Sequence, residues 1–203
     1  MLSTEQRQET LAALDVLATL FYRPLEASTV EALDKEAVFE HWPQWLAQKP
    51  LTEQLQRGVT YVPFEQLKQD HYDLLLAPKG RKAYPWGSVY TSRENRLFAE
   101  SSVAYQAFCK QHQIQFELSE AQPLDHFGLM LGATAHLLLQ QQDEAVSELL
   151  GVHLLPWSGR FLQCMNDSAQ TELYQQLALL AESTLDGLSQ ALSVTVVPVP
   201  LYK

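Results

Sequence analysis

An acid and an imidazole stand side by side in Gln122-Pro123-Leu124-Asp125-His126-Phe127-Gly128, the stretch of this chain best equipped for chemistry. A carboxylate next to an imidazole can hold a cation, orient a polar ligand or pass a proton. Pro123 places the pair in what reads as the first turn of a helix, where a missing N–H costs nothing. Asp125 there is favoured by the partial positive charge of the helix start. Adjacent helical residues diverge, so the two side chains are not expected to bond to each other as a triad pair would. They read as binding groups and not as catalysts. Taken alone, an Asp at a helix start is most often a cap, and a His beside an apolar face is most often a satisfied core residue.

Other chemistries find no residues to carry them. There is no phosphate loop and no Gly-x-Gly-x-x-Gly turn, and Gly87-Ser88 is not a nucleophile elbow. The six histidines (41, 71, 112, 126, 136 and 153) include no pair at metal-ligand spacing. His126 and His136 sit almost three turns apart and cannot share an ion. Cys109 and Cys164 match no metal spacing either and read as reduced thiols. No metal is expected.

The element that must position Asp125 and His126 is the apolar run Phe127 to Leu139. His126, Leu129, Met130, Ala133 and Leu137 share one helical face. Asp125, Gly128, Gly132 and His136 share a neighbouring one. Two glycines inside a helix cost about 1 kcal/mol each against alanine, which suggests close approach by another helix or a ligand. Upstream, Ala77 to Ser92 reads as a loop punctuated by Pro78, Gly80, Pro85 and Gly87, yet it carries Tyr84, Trp86 and Tyr90. Three aromatics exceed what a connection requires, although Trp86 as a plain core plug is the competing reading.

The remaining pattern is helical. Ser3 or Thr4 can cap a helix to about Tyr22. Residues 26 to 58 read as short helices broken by Pro43 and Pro50. Phe64 to Leu76 follows, with Leu67, His71, Leu74 and Leu75 inward. Ser92 to His112 reads as a helix with Leu97, Phe98, Ser101, Tyr105 and Phe108 buried. Gln113 to Leu118 reads as an extended linker. Asp143 opens a helix that Pro156 breaks near Leu155, Trp157 to Asn166 forms another, and Ala169 to Leu192 is the longest. Val194 to Tyr202 is β-branched and proline-rich, so it should lie extended along the body. The expected fold is all-α, one domain over residues 1–203, a helical bundle of about eight to ten helices with a long central loop.

Composition bounds the function. With 203 residues, 46% of them hydrophobic, the chain can bury one sizeable core. A net charge of −10 and a pI near 5.0 argue against nucleic acid as the partner and suit a basic ligand. Lys79, Arg81 and Lys82 form a basic cluster against that background. The first residues lack the basic start and apolar core of a secretory leader, and no apolar run is long enough to span a membrane. A cytoplasmic location is expected.

Four motifs stand in order: Pro85-Trp86-Gly87-Ser88-Val89-Tyr90, Ile114-Gln115-Phe116-Glu117, Pro123-Leu124-Asp125-His126-Phe127-Gly128 and His153-Leu154-Leu155-Pro156-Trp157. Together they resemble the TorD/DmsD family of redox-enzyme maturation chaperones, and its DmsD branch most, from about Glu9 to Leu201. Gln122 stands where the family often has Glu. His71 to Pro78 lacks the aromatic and glycine of the corresponding family stretch. The resemblance implies an all-helical cytoplasmic chaperone, not an enzyme. Such a chaperone binds the twin-arginine signal peptide of a molybdopterin oxidoreductase of the dimethyl-sulfoxide-reductase type. It delays export until the cofactor is inserted and folding is complete.

By the same resemblance the peptide-binding residues would be Asp125, His126, Trp86, Gly87, Ser88, Tyr90, Pro123, Phe127 and Leu75. A guanidinium calls for carboxylates, and an apolar leader calls for an apolar groove. Asp125 is expected at the mouth of that groove, taking an arginine. The resemblance extends to the Tat translocase as a second partner, to a monomer or a domain-swapped dimer, and to weak guanine-nucleotide binding, for which Lys79, Arg81 and Lys82 would meet phosphates. No other cofactor is expected. Two other classes stand beside this reading: a hydrolytic or nucleotide-dependent enzyme using Asp125 and His126, and a structural scaffold subunit.

Overall fold

The computed structural model describes residues 2–118 and 121–203. The chain is all-α. Ten α-helices are described: α1 Thr4–Tyr22, α2 Ala27–Lys35, α3 Lys49–Tyr61, α4 Phe64–His71, α5 Gly87–Thr91, α6 Glu100–Gln111, α7 Phe127–Leu139, α8 Asp143–Glu148, α9 Leu155–Ser168 and α10 Glu172–Ala191. α4 and α8 each run on into a π-helical turn, Tyr72–Leu76 and Leu149–Leu154. The chain divides into two compact units.

The first unit comprises the chain up to Tyr22, Pro85–Arg160 and Ser189–Lys203. Ser3 opens α1 with a reciprocal cap. Its hydroxyl accepts from the Gln6 amide at 3.1 Å, and its own amide donates to the Gln6 side chain at 3.0 Å. The apolar face of α1 (Leu14, Leu17, Leu20 and Phe21) is buried against α7. Gly128 permits that approach, because a Cβ there would lie 2.8 Å from Tyr22 Cβ and 3.1 Å from the Ala18 carbonyl oxygen. The close approach that the two glycines suggest is made at Gly128 by another helix, α1, while Gly132 has open space beside it. Arg7 fixes the other end of α1. Its guanidinium donates two bonds to Asp143, at 2.8 and 3.0 Å, and a third to the Leu138 carbonyl.

The second unit comprises Arg23–Tyr84 and Phe161–Leu188. Here α4 is tied to the start of α10. Asp70, 3% exposed, accepts from the amides of Gln170 and Thr171 and from the Thr171 hydroxyl at 2.7–3.1 Å. His71 Nδ1 meets the Tyr174 hydroxyl at 2.9 Å. Leu67, His71, Leu74 and Leu75 all face inward, as their spacing indicates.

Several boundaries differ from the sequence expectation. Pro50 does not break a helix but sits in the first turn of α3, where its missing N–H is harmless. Pro156 likewise falls at the second residue of α9, so the chain stays helical through it, and the His153 carbonyl is taken by the Trp157 indole N–H at 2.7 Å. The helix expected from Ser92 begins only at Glu100. Asn95 and Phe98 adopt left-handed backbone conformations (φ 51° and 58°) that no α-helix tolerates, which leaves Leu97 and Phe98 exposed instead of buried. The central loop contains the short helix α5. Residues 194–203 are extended as expected, with bonds from the Val197 amide to the Gly151 carbonyl and from the Tyr202 amide to the Tyr90 carbonyl.

Candidate functional site

The loop carrying Trp86 and the turn carrying Asp125 lie almost forty residues apart in sequence and meet in the first unit. Four contacts join them. The Phe127 amide donates to the Pro85 carbonyl at 2.7 Å, and the Gly87 amide to the Asp125 carbonyl at 3.1 Å. The Ser88 amide donates to Asp125 Oδ2 at 2.6 Å. Trp86 and His126 pair as an isolated antiparallel bridge, and their rings meet edge to face at 5.2 Å.

Asp125 does not stand open at a mouth. It lies two residues ahead of α7, not in its first turn, and is only 2% exposed. Its carboxylate is turned onto the first turn of α5, a five-residue helix that could not persist without outside support. Burial pushes the Asp125 carboxyl above the ordinary carboxylate value. The hydrogen bond from the Ser88 amide opposes that rise. The cap of α7 is His126, whose Nδ1 accepts from the Gly128 amide at 3.1 Å and so carries no proton there. The ring is 6% exposed and stands between the edges of Tyr22, at 5.3 Å, and Trp86. Gln122 donates to the Tyr22 hydroxyl at 2.9 Å, so the turn is held to α1 from both ends.

Beneath α5 lies Trp157, a residue of the fourth motif that was not expected at the site. Its indole fills the space where a side chain at Gly87 would be: a Cβ there would sit 2.6 Å from the ring. Tyr90 stacks on the same indole at 5.8 Å, and Phe127 meets it edge-on at 6.2 Å. Gly87, Ser88, Tyr90, Pro123 and Phe127 are all buried, and Trp86 is half-buried. Of the expected residues, Trp86 therefore offers the accessible aromatic surface, and the others build its support. Leu75, the ninth, is a core residue of the second unit, 2% exposed. Trp157 was legible in one respect, since Gly87 and Trp157 both belong to quoted motifs, but no spacing rule connects positions seventy residues apart.

The basic cluster belongs to the second unit. Lys79 and Lys82 are exposed there, whereas Arg81 donates to the Leu76 carbonyl at 3.0 Å and lies over the Tyr84 ring. Burial lowers the Arg81 pKa from its usual value. Among the described residues no group of His, Cys, Asp or Glu could hold a metal ion, and no helix is long and apolar enough to cross a membrane.

A family model described as nitrate reductase delta subunit matches residues 46–163. Among curated proteins, the Tat proofreading chaperone DmsD of Salmonella typhimurium is 33% identical over 202 residues, covering 98% of each chain. The protein of that name from Salmonella typhi is also 33% identical over 98% of each chain. The probable Tat proofreading chaperone DmsD of Haemophilus influenzae is 29% identical over 92% of each. Three of the four motifs that suggested the likeness converge on one buried cluster, and the likeness itself runs almost end to end: the chain belongs to the TorD/DmsD family of redox-enzyme maturation chaperones.

Proposed function

We propose that this protein is a cytoplasmic proofreading chaperone. It binds the twin-arginine signal peptide of a molybdopterin oxidoreductase and delays export until the cofactor is inserted. The single observation that carries the reading is the joining of Pro85–Tyr90 to Pro123–Phe127, with Trp86 left half-exposed at the junction. Such a junction suits an apolar peptide: a rigid aromatic surface loses little entropy on binding and displaces much water. Asp125 and His126 serve it by position. The carboxylate fixes the amide end of α5, and the imidazole fixes the start of α7 and backs the Trp86 ring. A direct arginine contact by Asp125 would require its carboxylate to leave the Ser88 amide and come to the surface. Arginines of the leader would more readily meet exposed carboxylates, which an excess of ten negative charges supplies.

The proposed role involves no turnover. His126 lacks the nucleophile and free base geometry of a hydrolytic site, and Asp125 is bonded to a backbone amide. The test is a titration of the protein with the leader peptide of a molybdoenzyme, and with the same peptide carrying its arginine pair as lysines. Saturable binding that weakens in the lysine peptide supports the reading. Equal binding of both, or of neither, overturns it.

A further inference from the structure

The segment 194–203 crosses the first unit as an extended strap, and its far end reaches the element that builds the candidate site. Two backbone bonds hold it: the Val197 amide to the Gly151 carbonyl at 2.9 Å, and the Tyr202 amide to the Tyr90 carbonyl at 2.8 Å. Arg93 Nε donates to the Tyr202 hydroxyl at 3.3 Å, and Arg160 Nε to the Lys203 carbonyl at 3.0 Å. Gly151 is shaped for the crossing, since a Cβ there would come within 2.4 Å of the Thr195 carbonyl oxygen. Most of the strap is not buried core: Val196, Val197, Leu201 and Tyr202 are 41–46% exposed.

The far anchor matters because of what it holds. α5 has five residues, too few to stand by its own hydrogen bonds. Asp125 secures its first turn through the Ser88 amide. Two contacts from elsewhere secure its last turn: Asn95 donates to the Val89 carbonyl at 2.9 Å, and the Tyr202 amide donates to the Tyr90 carbonyl. The Tyr90 ring in turn stacks on the Trp157 indole that underlies Gly87.

We propose that residues 194–203 are a positioning strap for the peptide site: they brace α5 from its carboxyl end, so that strap docking and leader binding favour one another. The coupling rests on the peptide-binding reading, while the brace does not. By linkage, whatever the strap does for leader affinity the leader must do for strap docking. A bound leader therefore slows opening of the strap. A strap that competed for the same surface would be released by the leader instead, so the sign of the effect separates a brace from a plug.

The experiment is hydrogen–deuterium exchange on the full chain, with and without leader peptide. Gly151→Val pushes the strap off by steric conflict. Tyr202→Pro removes the anchoring amide together with the phenol that Arg93 meets, and Tyr202→Phe loses only the hydroxyl and keeps that amide as the control. The expected result in both strap-off variants is faster exchange in α5, about fivefold for one lost backbone bond, with the α1–α7 pair unchanged. Tyr202→Phe should leave α5 protected. Unchanged α5 exchange in Tyr202→Pro overturns the brace whatever the leader does. In the wild type, added leader should slow exchange at the Val197 and Tyr202 amides. Faster or unaltered exchange there, with the leader bound, overturns the coupling. If the wild type binds no leader while the strap-off variants still loosen α5, the brace stands and the functional reading fails.

Discussion

Asp125 is a residue for which the family resemblance implies a ligand role and the fold supplies a structural one. With burial raising its pKa, the native state keeps this proton at a pH where the unfolded chain has released it. Native stability therefore rises, through this group, as the pH is lowered. Asp125→Asn keeps an acceptor for the Ser88 amide and removes the charge, so it should fold. Its stability relative to wild type should fall behind as the pH drops from neutral, as read from urea midpoints. His71 works in the opposite sense. Burial lowers its pKa from 6.5 to about 4, against the smaller opposing effects of the Arg23 backbone and Asp70. The unfolded chain thus takes up a proton that the native state refuses, and wild type loses up to about 3 kcal/mol between pH 6.5 and 4. His71→Gln keeps a partner for Tyr174 and should abolish that part of the acid sensitivity. Trp86→Ala tests the proposed peptide surface: the fold should survive, and leader affinity should drop by about 2 kcal/mol, close to thirtyfold. Wild-type affinity in that variant would place the peptide elsewhere.

The helices depend on contacts that their own sequences do not announce. α1 and α7 approach through Gly128, which sits under the Ala18–Tyr22 turn. Gly128→Val should cost at least about 1–3 kcal/mol by overpacking, visible as a lowered melting temperature, whereas Gly132→Ala meets open space and should be neutral or stabilising. The clamp from Arg7 to Asp143 joins α1 to the first turn of α8 through a two-pronged contact with both side chains 17–24% exposed. Arg7→Ala should cost about 1.5 kcal/mol, less at acid pH. The pH sense follows from Asp143, whose carboxyl the Arg7 guanidinium holds below its ordinary value, so the stabilisation is present at neutral pH and fades as Asp143 takes a proton. Thermal denaturation of wild type and variant at pH 7 and pH 3 would check it.

If this acidic protein receives a basic leader, as proposed, bulk behaviour should show it. Affinity for the leader should fall between low and moderate salt, because exposed acid–arginine pairs are screened over about 8–10 Å. It should not vanish, because the apolar part of the contact is not screened. A flat salt response would remove the carboxylates from the reading. The same titration run beside an ester, peptide and nucleotide hydrolysis assay should yield binding and no turnover. Turnover lost in His126→Ala with binding retained would replace the chaperone reading with an enzyme.

The sequence by itself determined the helical class, the start of α1 and the inward face of α4, because those depend on 3.6-residue spacing and on caps that lie within a few residues of what they serve. It also carried the family likeness, since motifs are strings of residue types. Local rules misjudged Pro50 and Pro156, whose effect turns on the helical position each occupies, and Leu97 and Phe98, whose helical spacing is overridden by left-handed turns at Asn95 and Phe98. Only the tertiary structure decided what Asp125 touches, that Gly87 makes room for Trp157, that α1 fills the face at Gly128 and that Gly151 makes room for the strap. Each of these is a contact between residues far apart in the chain. Their partners are chosen by packing and by the need to satisfy buried polar groups, and neither constraint leaves a periodic trace in the sequence.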